Sequence, residues 1–172
     1  MADIAYIKYN RTRKDEFQIK TEIIRENGQL WVEKWALSEK GADHIRSFRN
    51  KYEALKRQHV HLKVAEPQVS EDGMSVRFAY LTGQTLAEKL GEEISRGQAP
   101  LESIKDAVDR ICQVKPEYLA PFQITDRLTE VFGPVPKFTD QSMAVSNIDA
   151  LMENILVTED GWYFLDYASY GC

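Results

Sequence analysis

The run Ile155-Leu156-Val157, the tetrapeptide Thr158-Glu159-Asp160-Gly161 and the run Trp162-Tyr163-Phe164-Leu165 constrain this chain more than any other stretch. Two short apolar runs, rich in β-branched and aromatic residues and separated by an Asp-Gly turn signal, predict a β-hairpin. Folding that hairpin brings Asn154, just before the first strand, close to Asp166, just after the second. Asp149 lies on the irregular segment leading in, so one rigid support can gather three oxygen-bearing side chains. Convergent oxygens suit a hard cation such as Mg²⁺, with phosphate oxygens and water completing its shell.

The N-terminal half predicts an antiparallel sheet. Ile4 to Tyr9, Phe17 to Ile24 and Leu30 to Leu37 read as three strands, the last two joined by the hairpin turn Asn27-Gly28. Period-2 alternation puts Phe17, Ile19, Thr21 and Ile23 on one face of the second strand. On the third it puts Leu30, Val32, Lys34 and Ala36 together, so a lysine interrupts an apolar row. A buried ammonium requires an anionic partner or a route to solvent. Asp43 to Arg57 follows as a helix with an apolar stripe of Ile45, Phe48, Tyr52 and Leu55, and Glu53 lies on its flank. His59 to Ala65 and Met74 to Leu81 add two strands, for a five-stranded sheet with one helix.

Beyond Leu81, Thr85-x-x-Glu88 is a capping box for a helix carrying Leu86, Leu90 and Ile94. Gly97-Gln98-Ala99-Pro100 ends it, and Ser103 to Val114 is a further helix with Ile104, Val108 and Ile111 on one side. Tyr118 to Phe132 reads as partly helical until Gly133-Pro134-Val135-Pro136 breaks it.

At 172 residues the chain suffices for one ordinary domain or two small lobes sharing a cleft. Its net charge of −5 argues against broad nucleic-acid binding. Cys112 and Cys172 are distant in sequence, and no apolar run approaches the roughly 20 residues needed to cross a bilayer. These features predict a reduced, cytoplasmic protein without membrane insertion. His44, His59 and His61 have no cysteines at zinc spacing and are expected at surface or partly packed positions.

Taken in order, the strand lysine, helix glutamate, Asp149-x-x-x-x-Asn154 and Asp166-Tyr167 resemble the protein-kinase-like superfamily. The likeness is greatest to its small-molecule branch, such as aminoglycoside and choline-type phosphotransferases. The resemblance implies an α+β, two-lobed fold, with a five-stranded antiparallel small lobe over residues 1–81. Residues 82–172 would supply the hinge and a reduced, mainly helical large lobe. It implies ATP and Mg²⁺ as cofactors, with Lys34 on the nucleotide phosphates and Glu53, nineteen residues beyond it, as its ion-pair partner. Backbone groups near Ala79 to Leu81 would meet the adenine edge, with Val32 beside the base. Asn154 and Asp166 would hold the metal, and Asp149 would accept or orient the proton of an acceptor hydroxyl on a small molecule or sugar.

Three departures qualify the pattern. No glycine-rich loop joins the first two strands; Asn10 to Glu16 stands there, which reads first as a solvated basic turn and second as a loop whose Arg11, Arg13 or Lys14 contacts phosphate by side chain. Asn147-Ile148 replaces the His-Arg or His-Gly that supports the catalytic loop in the family. The chain also ends six residues after Asp166, as a truncated or minimal relative would. A phosphotransferase and a non-catalytic nucleotide-binding relative, a pseudokinase or interaction module, therefore both fit.

Overall fold

The structure, a computed structural model, describes residues 3–12, 14–59, 61, 63–113, 115, 117, 119–121, 130, 133, 142–144 and 151–167. Its strands are β1 (Asp3–Tyr9), β2 (Ile19–Glu26), β3 (Gln29–Ala36), β4 (Lys63–Val64), β5 (Gln68–Val69), β6 (Ser75–Ala79), β7 (Gln84–Thr85), β8 (Leu119–Pro121), β9 (Ser142–Ala144), β10 (Ile155–Thr158) and β11 (Gly161–Phe164). Its α-helices, among the described residues, are α1 (Glu39–Gln58), α2 (Leu86–Ser95) and α3 (Leu101–Cys112).

The meander β1–β2–β3 forms as its turns predict. Asn27 and Gly28 both adopt positive φ, 52° and 80°, the mirror-image turn geometry that matches strand twist. β6 and then β5 extend the sheet, giving the antiparallel order β1-β2-β3-β6-β5. The fifth strand is thus Gln68–Val69, not His59 to Ala65. Among the described residues of that stretch, Lys63–Val64 forms a strand, and it pairs in parallel with β11 in a second sheet of order β4-β11-β10-β7. The short loop through Ser70 to Gly73 favours local pairing of β5 with β6, fixed by the Ser70 hydroxyl, which accepts from Ser75 N at 3.0 Å.

Strand register lines up residues on the face beneath α1. One row across β1, β2, β3 and β6 is Tyr6, Ile23, Val32 and Phe78, and the next is Lys8, Thr21, Lys34 and Val76. The pairing slips by one residue at Ala5, which leaves Ile4 opposite Ile24 and puts Tyr6 and Lys8 on the α1 face. Ser38 caps α1, its hydroxyl accepting from Gly41 N at 3.0 Å, so the helix begins a turn earlier than its apolar stripe alone predicts. Ile45, Phe48, Tyr52 and Leu55 are buried as expected and pack with Val76, Phe78 and Ile19. Each fully buried apolar side chain of this kind stabilises the fold by roughly 1.5–3 kcal/mol.

The opposite face of the sheet is covered by ion pairs and aromatics. Arg77 bridges Glu26 (2.8 Å) and Glu33 (2.7 Å) and lies over the Trp31 ring, while Lys20 pairs with Glu22 at 3.0 Å and lies over Trp35.

Ile155, Phe164, Tyr167, Leu86 and Leu90 belong to the same buried cluster as the α1 side chains, so one core runs from the five-stranded sheet into the hairpin β10–β11. The capping box predicted at Thr85 is present: its hydroxyl accepts from Glu88 N, and the Glu88 carboxylate accepts from Thr85 N at 2.8 Å. Most of Tyr118 to Phe132, read as partly helical, lies outside the described residues; Leu119–Pro121 within it is a strand paired with β9. No helix among the described residues is long and apolar enough to cross a membrane.

Candidate functional site

The hairpin β10–β11 pairs Ile155 with Phe164 and Thr158 with Gly161, so its turn is Glu159-Asp160. Asp160 stiffens this turn by accepting from the Thr158 and Tyr163 hydroxyls and the Lys63 ammonium, which hold its carboxyl down at about 2. At the open end, Leu165 N donates to Asn154 O at 2.8 Å, closing one further rung past the last strand pair. Asn154 and Asp166 therefore leave the hairpin side by side, as the sequence predicts.

Both residues line a cavity of about 550 Å³ between the two sheets. Val32, Lys34, Ala79 and Leu81 line it as well. Six of the eight residues singled out from sequence thus meet in one cleft. β3 delivers Val32 and Lys34 from one side, β6 and the segment after it deliver Ala79 and Leu81 from the end, and the hairpin delivers Asn154 and Asp166 from below. Gly83 permits that closeness: a Cβ there would lie 2.5 Å from Val157 O.

Lys34 lies on the inner face as its alternation predicts, with its side chain 17% exposed. Its ammonium donates to Asp166 Oδ1 at 3.3 Å and sits 5.5 Å from the centre of the Phe48 ring. A carboxylate and an aromatic face together replace the water lost on burial. The pair spans 132 positions in sequence and ties β3 to the end of the hairpin.

The expected pair between Lys34 and Glu53 does not form. Glu53 is exposed, and its backbone carbonyl accepts from Arg57 Nε at 3.2 Å on the same helix. The reason is helical phase: α1 buries Ile45, Phe48, Tyr52 and Leu55, and Glu53 stands about 100° around from Tyr52, turned outward. The α1 side chains beside the Lys34–Asp166 pair are Phe48, whose ring faces the ammonium, and His44, which feels both charges. His44 packs edge-on between Phe17 and Phe48 at 5.6 and 5.7 Å, and burial, then the Lys51 and Lys34 charges, push its pKa down to about 4 against the opposing pull of Asp166. The helix thus presents a neutral imidazole and a ring to Lys34 where a carboxylate was expected. Asp149 lies outside the described residues.

Tyr167 fixes the backbone next to Asp166. It is 1% exposed, meets Phe48 and Phe78 edge-on at 5.3 and 6.3 Å, and donates its hydroxyl to Ala65 O at 2.8 Å. Burial, then Tyr52 and Glu66, push its pKa upward, which keeps it a donor.

No protein-family model matches the chain, and no curated protein matches it at a significant level. Among solved structures it is similar to the GDP and kanamycin complex of the aminoglycoside phosphotransferase APH(2'')-IIIa, at 16% identity and a TM-score of 0.41, covering 98% of this chain and 68% of that one.

Polar side chains of the cleft that the sequence does not single out as site residues include Lys8, Asn10, Thr21 and Glu88. Lys8 and Asn10, on and just beyond β1, line the same cavity. β1 carries apolar side chains on both faces, so alternation alone assigns neither face inward. The signal lies in the pairing, which places Lys8 level with Thr21 and Lys34. Arg11, one of three alternative phosphate contacts, is exposed and lies over the Tyr9 ring at 5.1 Å, in keeping with a solvated basic turn. Lys14 is exposed, and Arg13 lies outside the described residues.

Among the described residues no group of three His, Cys, Asp or Glu side chains could hold a metal ion alone. Asn154 and Asp166 supply two oxygen donors facing one cavity, which fits Mg²⁺ bound jointly with phosphate oxygens and water.

Proposed function

We propose that this protein is a kinase-like, ATP-dependent phosphotransferase that transfers a phosphoryl group to a hydroxyl of a small molecule or sugar. The observation that carries the reading is the single cleft holding the Lys34–Asp166 pair, at 3.3 Å, together with Asn154 and the strand end at Ala79 to Leu81. In this reading residues 1–81 form the small lobe, and residues 82–172 the hinge and large-lobe portion.

The division of labour follows from position. Val32, Ala79 and Leu81 form the apolar end of the cleft, suited to a planar base. Lys34, one row further along β3, would meet phosphate oxygens, and Asn154 and Asp166 would hold the cation. Bound Mg²⁺ would neutralise charge on the phosphate oxygens. Lys34 exchanges its contact with Asp166 for phosphate, which releases the carboxylate toward the metal position. Asp149 accepts the acceptor's hydroxyl proton as that oxygen bonds to the γ-phosphorus and the bond to the β-phosphate oxygen breaks, leaving ADP. Positioning and charge neutralisation supply most of such a rate acceleration.

One observation favours a second reading, a nucleotide-binding module without turnover. Glu53 is exposed and Lys34 rests on Asp166 instead, so the lysine is not held in place when Asp166 turns to a metal.

Two measurements test the proposal. A thermal melt with ATP and Mg²⁺ should raise the midpoint by mass action, and Asp166→Asn should abolish the Mg²⁺-dependent part. γ-Phosphoryl transfer to a panel of sugars and hydroxylated metabolites should require Asp149, with Asp149→Asn as control. Binding without transfer selects the second reading, and no melt shift at millimolar nucleotide removes both.

A further inference from the structure

The loop between β1 and β2 carries no glycine to bring backbone amides onto a phosphate chain, yet the face of the sheet beside it is not bare. Lys8, Thr21 and Lys34 are consecutive register partners on β1, β2 and β3 and all three line the cleft. The row runs ammonium, hydroxyl, ammonium. Strands lie about 4.8 Å apart, so the two lysine backbones stand about 10 Å apart with side chains on the same face. Asn10 lies two residues beyond Lys8, its backbone N–H held by Ile19 O at 3.0 Å and its residue facing the same cavity.

The two lysines differ in their counter-charge. Lys34 has Asp166, whereas Lys8 forms no ion pair among the described residues. The cavity's two carboxylates are Glu88 and Asp166, and an ammonium facing it without an ion pair to either is a standing attraction for an anionic ligand. The row next to it, Ile23, Val32 and Phe78, is apolar and leads to Ala79 and Leu81, about 6.6 Å along the strands. A ligand with a flat apolar end and a polyanionic tail matches this order of rows.

Resting on the nucleotide reading above, we propose that Lys8, with Thr21 and Asn10, forms a side-chain phosphate cradle that replaces the missing glycine loop. Lys34 takes the phosphate nearest the sugar, and Lys8 takes the phosphates farther out. The cleft therefore selects nucleoside triphosphates over monophosphates through a residue on β1.

The test measures binding of adenosine mono-, di- and triphosphate and of inorganic triphosphate to wild type, Lys8→Ala and Lys8→Arg, by calorimetry at fixed salt. Lys8 is exposed on an edge strand, so the unliganded melting temperature should match wild type in both variants and certify folding. Lys8→Ala should weaken triphosphate binding about tenfold, the scale of one charge-assisted hydrogen bond, and leave monophosphate binding within about twofold. Lys8→Arg should retain most of the triphosphate affinity. Triphosphate affinity unchanged in Lys8→Ala, or equal losses for mono- and triphosphate, overturns the cradle while leaving nucleotide binding intact. Lys8-dependent binding of inorganic triphosphate without any nucleotide binding upholds the cradle and overturns the nucleotide reading. No binding of any of the four ligands to wild type overturns both.

Discussion

Replacing Tyr167 separates two contributions that hold Asp166 in the cleft. Tyr167→Phe keeps the ring against Phe48 and Phe78 and removes only the hydroxyl that donates to Ala65 O at 2.8 Å. Ala65 is half-buried, and the loss should be near the ordinary net value of about 1 kcal/mol. In a chain of this length that corresponds to a drop of roughly 2–4 °C in melting temperature. Tyr167→Ala removes a ring that is 1% exposed from the middle of the core, and aromatic truncations of this kind cost about 3–5 kcal/mol. Against a total stability of about 5–15 kcal/mol, the alanine variant should be folded but marginal at 37 °C. Urea titrations of the three proteins give both differences, provided the slopes agree. Should Tyr167→Phe lose as much as Tyr167→Ala, the hydrogen bond and not ring packing would be dominant. A loss below about 1 kcal/mol for Tyr167→Ala would show that the ring is not part of the core. The phenylalanine variant should also retain the Mg²⁺-dependent melt shift, because the backbone at Asp166 stays in place.

Gly83→Ala should destabilise the protein by about 1–3 kcal/mol and disturb nucleotide binding, since the added Cβ would stand 2.5 Å from Val157 O and 3.1 Å from Leu156 Cγ at the cleft wall; an unchanged denaturation midpoint would refute that close approach. Stability should fall as pH is lowered from about 6.5 toward about 4, because His44 is held neutral in the fold while its unfolded counterpart takes up a proton over that range. His59, whose pKa burial also lowers, acts in the same direction, so His44→Gln should reduce the slope of stability against pH without removing it. A slope identical to wild type would rule out His44 as a contributor.

The parts of this fold that are legible in the sequence depend on neighbours along the chain. Asp160-Gly161 and Asn27-Gly28 mark their turns, Thr85 with Glu88 marks a helix start, and period-2 alternation puts Lys34 inward with Val32. The closeness of Asn154 and Asp166 follows from the hairpin alone, because Ile155 and Phe164 must pair before either residue can leave it. What sequence could not decide are contacts between distant elements, where several partners satisfy the same local pattern. The apolar stripe of α1 fixes which residues are buried but not which flank meets Lys34, and docking of the helix turned His44 and Phe48 inward and Glu53 outward. The ammonium then found its carboxylate on Asp166, 132 residues away. Lys8 became a cleft residue through a one-residue slip at Ala5, and β5 displaced His59 to Ala65 at the sheet edge because the shorter loop to β6 costs less entropy to close. Turn chemistry and periodicity act within a few residues and can be read in order. Docking of one face on another is settled by burial and charge summed over the whole molecule, and only the assembled fold contains that sum.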